Sequence, residues 1–195
     1  VWNKKGADIL RAWTASTDFR NEMSFSEESL ERTADAYRRI RNTIRFLMGN
    51  LNDFDFQKDK ISGDRYSELD KWIVLKTKDL QTEVIKDFEN YDIHFAFQKI
   101  LNFCTNELGG FYLDIIKDRL YTSKRDGSAR RSAQSAMHQI YTSLLTLVAP
   151  ILSFTAEESY LEKNGNGNSI FLSEWFSEWE EFDQKIDQGL WDQLI

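Results

Sequence analysis

Tyr37-Arg-Arg-Ile-Arg-Asn-Thr-Ile-Arg-Phe46 is the stretch on which the reading of this chain turns. Residues three and four apart are neighbours on a helix surface, so the string resolves into two stripes. Tyr37, Ile40, Ile44 and Leu47 or Met48 form an apolar seam that predicts a helix packed on a core. Arg38, Arg41, Asn42 and Arg45 form a polar stripe beside it. Arginine matches phosphate and carboxylate bidentately, so this stripe is the first candidate for a polyanion surface. It inverts the sign of a chain whose formal net charge is -7.

Outward from this string, Ser26 is an N-cap candidate, with Glu27 and Glu28 at the positive end of the helix dipole. Ser29 is not the acid that usually completes a capping box. The helix is predicted to run to about Met48 and to stop at Gly49-Asn50. Before it, residues 6–17 read as a helix with Ile9, Leu10 and Trp13 on one face. After it come a polar loop (52–63), a second long helix (64–89), and a third from Ile93 to about Asn106, capped by Asp92. Gly109-Gly110 reads as an interruption before a helix over 111–120, and a charged loop over 122–127 follows. A helix is predicted over 128–148, then another to about Lys163 with Pro150 in its first turn. Asn164 to Asn168 is turn-rich, 170–172 reads as extended, and 187–195 as the start of a further helix.

Composition agrees with these periods. One proline and nine glycines leave few helix breakers, and hydrophobic residues at 41% suffice for a packed core. The expected fold class is all-α, an antiparallel helical bundle. Three parts are expected: a junction segment over 1–25, a bundle over 26–163 and an extension over 164–195. The absence of methionine at position 1 leads to the expectation of a piece of a longer chain. No apolar run reaches membrane-spanning length, and no secretory signal pattern opens the sequence.

Chemistry-bearing motifs are sparse. A single cysteine, Cys104, precludes an intrachain disulfide and reads as a buried thiol. His94 and His138 lie far apart, and no Cys/His spacing suits zinc. No phosphate-binding glycine loop, dinucleotide fingerprint or nucleophile elbow is present. Glu157-Glu158 reads as a solvated helix face. No catalytic residue and no metal ligand is assigned. A second basic region comprises Lys117, Arg119, Lys124, Arg125, Arg130 and Arg131, whereas Glu174, Glu178, Glu180, Glu181 and Asp183 crowd the C-terminal stretch. Segregated charge of this kind orients a polyanion. A pI near 5 argues against a general DNA-coating protein but leaves room for a local RNA grip. From the residues alone, a helical scaffold or protein-interaction module and a stand-alone enzyme also stay open.

Longer strings carry a resemblance. Gly6-Ala-Asp-Ile-Leu-Arg-Ala-Trp13, followed by Ala15-Ser-Thr-Asp-Phe19, resembles the segment just after the nucleotide-binding core of class I aminoacyl-tRNA synthetases. Tyr37 to Phe46 running into Asn50-Leu-Asn-Asp-Phe-Asp55 resembles the isoleucyl members of bacterial type. So do Leu108-Gly-Gly-Phe-Tyr-Leu-Asp114, Lys117-Asp-Arg-Leu-Tyr121, Ala129-Arg-Arg-Ser-Ala-Gln134 and Leu147-Val-Ala-Pro-Ile-Leu-Ser-Phe-Thr-Ala-Glu-Glu158. Valyl, leucyl and methionyl relatives share the bundle and the Ala-Asp-x-Leu-Arg theme and remain alternatives.

The resemblance implies an anticodon-binding bundle preceded by a short segment that contacts the tRNA stem. It implies a parent enzyme that joins isoleucine to tRNA(Ile) through an adenylate, using ATP with magnesium. Many relatives also carry zinc in a C-terminal region absent here. The family's two signature motifs, of His-Ile-Gly-His and Lys-Met-Ser-Lys-Ser type, are missing, so this chain alone is not expected to catalyse. Implied partners are tRNA(Ile) and the catalytic domain of the same polypeptide, in a cytoplasmic monomer. The implied tRNA contacts are Arg38, Arg41, Asn42 and Arg45 first, and Lys124, Arg125, Arg130 and Arg131 second. Trp13 and Arg20 belong to the stem-contact segment. Because the family uses Arg41 and Asn42 across members with different anticodons, tying helices together is a second role implied for that pair. Apolar surface is expected to be exposed around Val1 to Trp13, where the catalytic domain would pack, and at Leu190, Trp191 and Leu194.

Overall fold

A computed structural model describes residues 5–182 together with 189, 191 and 193. Among these residues the secondary structure is helical, without a strand. The elements are α1 (Ala7–Ala15), α2 (Glu27–Gly49), the single-turn α3 (Phe56–Asp59), α4 (Glu68–Glu89), α5 (Ile93–Phe103), a π-helical segment (Cys104–Tyr112), α6 (Leu113–Thr122), α7 (Ser128–Val148) and α8 (Ser153–Asn164). The helix expected over 187–195 lies largely outside the described residues.

α2, α4, α7 and the continuous α5–π–α6 rod build an antiparallel bundle. α2 and α4 stand at opposite corners, each packed against α5 on one side and α7 on the other. α7 is the most enclosed helix: 15 of its 21 residues are buried. Trp72, Tyr112, Ile40, Ile44, Leu47, Met137 and Ile140 fill the interior at 0–1% exposure. α1 and α8 close one side of α2.

Several local expectations are corrected. Ser29 does complete a capping box: Ser26 Oγ accepts from its amide at 3.0 Å, and Ser29 Oγ accepts from the Ser26 amide at 3.2 Å. A hydroxyl accepts this bond as an acid would. The polar loop over 52–63 contains α3, capped by Asp55, whose Oδ1 accepts from the Gln57 amide at 3.0 Å. α4 starts at Glu68, preceded by a 3₁₀ turn over Gly63–Arg65. Asp92 does not cap α5; its carboxylate accepts from Arg20 at 2.9 Å. Ile170–Leu172 is a 3₁₀ turn, not an extended run.

Gly109-Gly110 does not break the helix. The chain passes through it as a wide π turn, which leaves room where an α-helix would crowd. A Cβ on Gly109 would sit 2.9 Å from the Cys104 carbonyl oxygen, so this position needs glycine.

Pro150 lies in the α7–α8 corner and not in the first turn of α8, which begins at Ser153. No side chain of its own N-cap serves α8. The cap comes from α1: the Asp8 carboxylate accepts from the Phe154 and Thr155 amides at 3.3 and 2.7 Å and from the Thr155 hydroxyl at 2.6 Å. One turn on, Arg11 donates to the Pro150 and Ile151 carbonyls, both at 2.8 Å. The Ala-Asp-x-Leu-Arg string is thus a clamp that fastens α1 to the α7–α8 corner.

Beyond α8 the chain returns as an extended strap over 173–182, lying in the α4–α7 groove. Two buried glutamines read its backbone. Gln81 Nε2 donates to the Phe176 carbonyl at 2.8 Å, and Gln139 Oε1 accepts from the Glu180 amide at 2.8 Å. Trp175 stacks on Phe88 and Phe182 meets Tyr66 edge-on. At the crossing near Gly63, a Cβ would fall 2.3 Å from the Glu181 carbonyl oxygen, so only glycine admits the strap.

Candidate nucleic-acid interface

The basic stripe of α2 is presented as its period requires. Ile40, Ile44 and Leu47 are buried, while Arg38, Asn42 and Arg45 face solvent. Arg38 pairs with Asp35 one turn earlier. Arg41 is turned toward α8, its guanidinium 3.9 Å from Glu158. Asn42 and Arg45 make no side-chain hydrogen bond or ion pair among the described residues. Exposed ion pairs hold a side chain by only about 0–1 kcal/mol, so Arg38 exchanges its partner for a phosphate at little cost.

The second basic region divides. Lys124 is exposed, and its ammonium has no partner among the described residues. Arg125 is exposed and reaches Asp53 at 3.2 Å. Arg130 and Arg131 are employed inside the fold. Arg130 grips Asp53 bidentately at 2.6 and 3.1 Å and donates to the Leu120 and Arg125 carbonyls. Arg131 donates to the Asp53 carbonyl at 3.2 Å, pairs with Asp59 at 3.4 Å, and covers the Phe54 ring. Gln134 adds bonds from its Nε2 to Asp53 and to the Asn50 carbonyl. These bonds, led by the one from Arg130, hold the Asp53 carboxyl far below the usual carboxylate range. The Ala-Arg-Arg-Ser-Ala-Gln string therefore pins the Asn-Leu-Asn-Asp-Phe-Asp loop to the N-terminal end of α7.

Arg119 is likewise internal. It grips Asp70, which is fully buried, with two bonds of 2.9 Å. Tyr112 donates to the same carboxylate at 2.8 Å, and Ser132 and Ser67 complete its shell. The network joins α4, α6, α7 and the π segment. Burial raises the Tyr112 phenol well above its ordinary range.

In the N-terminal segment, Trp13 donates to Ser29 at 3.2 Å and meets Phe25 edge-on. Arg20 bridges Asp18 and Asp92 at 2.8 and 2.9 Å. Of the apolar surface expected over Val1 to Trp13, the α1 part is covered: Ile9 packs with Leu30 and Ala34, and Ala12 is buried; residues 1–4 lie outside the described residues. Several exposed apolar side chains stand instead around the α7–α8 corner, while Ile115 and Tyr121 are exposed on α6. At the corner Phe19, Ile93 and Pro150 line one hollow, and Pro150, Phe171 and Trp175 line the next. Trp191 packs against Trp72; Leu190 and Leu194 lie outside the described residues.

The remaining titratable groups are structural in their surroundings. Burial pushes the Cys104 thiol up. His138 stacks on Phe56 at 4.1 Å, and burial, with Lys163 nearby, lowers it to about 4. Glu157 accepts from the Ile170 amide at 2.9 Å, while Glu158 is exposed. No group of His, Cys, Asp or Glu among the described residues is arranged to hold a metal ion.

Among the described residues, the bundle thus shows solvent guanidinium and amide groups, those of Arg45 and Asn42, that no other side chain or backbone group engages. Residues 70–194 match the family described as the anticodon-binding domain of tRNA ligases, and the chain belongs to that family. The sequence is 49% identical to an isoleucine–tRNA ligase of Vesicomyosocius okutanii over 97% of the chain and 20% of that protein. It is 50% identical to one from Legionella pneumophila over 98% of the chain, and 48% identical to one from a Shewanella species over 100%, in each case 21% of the relative. The chain thus spans about a fifth of the length of the curated relatives it matches.

Proposed function

We propose that this bundle holds the anticodon arm of tRNA(Ile) as part of an isoleucine–tRNA ligase. In this reading the rest of the polypeptide activates isoleucine with ATP and magnesium and transfers it to the tRNA. Any zinc is held outside the present residues. The observation that carries the reading is the polar face of α2, where Asn42 and Arg45 have no partner among the described residues and Arg38 stands beside them, in a domain of the anticodon-binding family. Assignment to isoleucine is supported by the names of the relatives.

Phosphate contacts from Arg38, Arg45, Lys124 and Arg125 fix the register of the arm. Unstacked loop bases are then read by hydrogen bonding and stacking. Arg41, Arg130, Arg131 and Arg20 act by holding the framework, as does Trp13. The apolar corner around Phe19, Pro150 and Phe171 is the surface offered to the catalytic part of the same chain. The assembly works as a cytoplasmic monomer; among the described residues no helix is long and apolar enough to cross a membrane.

The test is a titration of the complete ligase with tRNA(Ile) and with an anticodon-swapped transcript at two salt concentrations. Arg45→Ala is expected to weaken binding and to lower the salt slope by about 1. Equal affinity for the two transcripts, together with an Arg45→Ala variant of unchanged affinity and slope, refutes the reading in favour of a scaffold.

A further inference from the structure

The sequence pattern singled out one stripe of α2 and passed over Arg39. With 3.6 residues per turn, Arg39 points about 100° away from Arg38, toward the π segment and not along the Arg38–Arg45 line. It lies in a groove between α2 and the α5–π rod, walled by Arg32, Asp35, Arg39, Asn102, Thr105 and Asn106.

Three ion pairs stand on the α2 side of this groove. Lys5 pairs with Glu31, Arg32 with Glu28 at 3.2 Å, and Arg38 with Asp35. Arg39 makes no side-chain hydrogen bond or ion pair among the described residues. Of the charged residues that line the groove, Arg32, Asp35 and Arg39, only Arg39 lacks a partner among the described residues, so the lining is net positive; Glu107, next to Asn106 in the π segment, keeps one buried carboxylate oxygen without a partner. On the other wall of the groove, the Asn106 side chain is exposed and has no partner among the described residues, offering two further N–H donors. The wide π turn sets this wall: Thr105 and Asn106 both belong to it, and such turns recur at functional sites. The acidic strap with Glu174, Glu178, Glu180 and Glu181 lies in the α4–α7 groove, on the far side of the bundle from α2. Its field disfavours an anion there and leaves the α2–π side as the approach.

We propose that this groove is a phosphodiester site, in which Arg39 and Asn106 together take one phosphate of the bound RNA backbone as the strand crosses α2 obliquely from the Arg38–Arg45 line. Arg39 and Asn106 line the same hollow from its two sides, so both bring N–H donors to an anion seated there, and arginine takes phosphate bidentately. The inference rests on the tRNA-binding reading above.

The experiment is a salt-dependent titration of the complete ligase with tRNA(Ile), using Arg39→Gln, Asn106→Lys and Arg45→Ala. Both groove residues are exposed, so the fold is expected to survive, as melting curves check. Loss of one phosphate contact lowers the salt slope by about 0.7 to 0.9, so between 50 and 200 mM salt Arg39→Gln is expected to lose roughly threefold less affinity than wild type does. Asn106→Lys is expected to steepen the slope by a similar amount. If Arg45→Ala weakens binding while Arg39→Gln and Asn106→Lys leave affinity and slope unchanged, the groove site is overturned and the tRNA reading stands. If all three are silent, both fall. Inorganic phosphate is included as a competitor. Weakening of wild type but not of Arg39→Gln at equal ionic strength supports the site, and equal weakening of both counts against it.

Discussion

Replacing Asp70 with asparagine tests how the bundle is held together. Asp70 is fully buried and receives two bonds from Arg119 at 2.9 Å each, one from Tyr112 at 2.8 Å and one from Ser67 at 2.7 Å. Asparagine keeps the shape but puts an NH2 group against one guanidinium nitrogen. It also leaves the Arg119 charge, on a side chain only 23% exposed, without its counter-ion. Removing one member of such a pair costs about 3–5 kcal/mol. In a chain of this size each kcal/mol is worth about 2–4 °C, so the melting midpoint should fall by roughly 6–20 °C. Urea unfolding followed by circular dichroism reads the loss as a lower midpoint at constant slope. Adding Arg119→Met to Asp70→Asn should restore part of it, with a coupling of about 0.5–3 kcal/mol. A loss below about 1 kcal/mol, the scale of a surface pair, or the absence of any coupling, would refute the idea that this network ties α4, α6 and α7 together.

Two further expectations concern single positions. His138 is held near pKa 4 in the fold against about 6.5 in the unfolded chain. The unfolded state therefore binds the extra proton, and stability falls as pH drops from about 6.5 toward 4, by at most about 3 kcal/mol. His138→Phe, which keeps the stack on Phe56, should flatten thermal midpoints measured across that range; an equally steep profile in the variant would remove His138 as the cause. Gly109→Ala places a Cβ 2.9 Å from the Cys104 carbonyl and should destabilise by about 1–3 kcal/mol. A denaturation midpoint equal to wild type would show that the π turn relaxes without cost.

The Asp70 shell also shows where sequence reasoning stops. Lys117, Arg119, Arg130 and Arg131 looked alike as a basic run, yet they divide into a surface lysine and three guanidiniums turned inward on Asp70, Asp53 and Asp59. Nothing local marks the difference, because the acids lie about 50 to 80 residues away in sequence. The Asp8 cap on α8 was invisible for the same reason, and so was the strap, whose backbone is read by two glutamines that look like ordinary helix residues.

What the sequence determined by itself was the helical class, the polar and apolar faces of α2, and the limits of α7, placed at 128–148 and found at Ser128–Val148. These follow from period and from local turn chemistry, which act within a few residues. Tertiary structure alone decided which arginines remain free for a ligand, where the diglycine widens a helix instead of ending it, and which apolar side chains stay exposed. Each of these depends on which distant group is within about 3 Å of a side chain, a matter settled only when the helices pack.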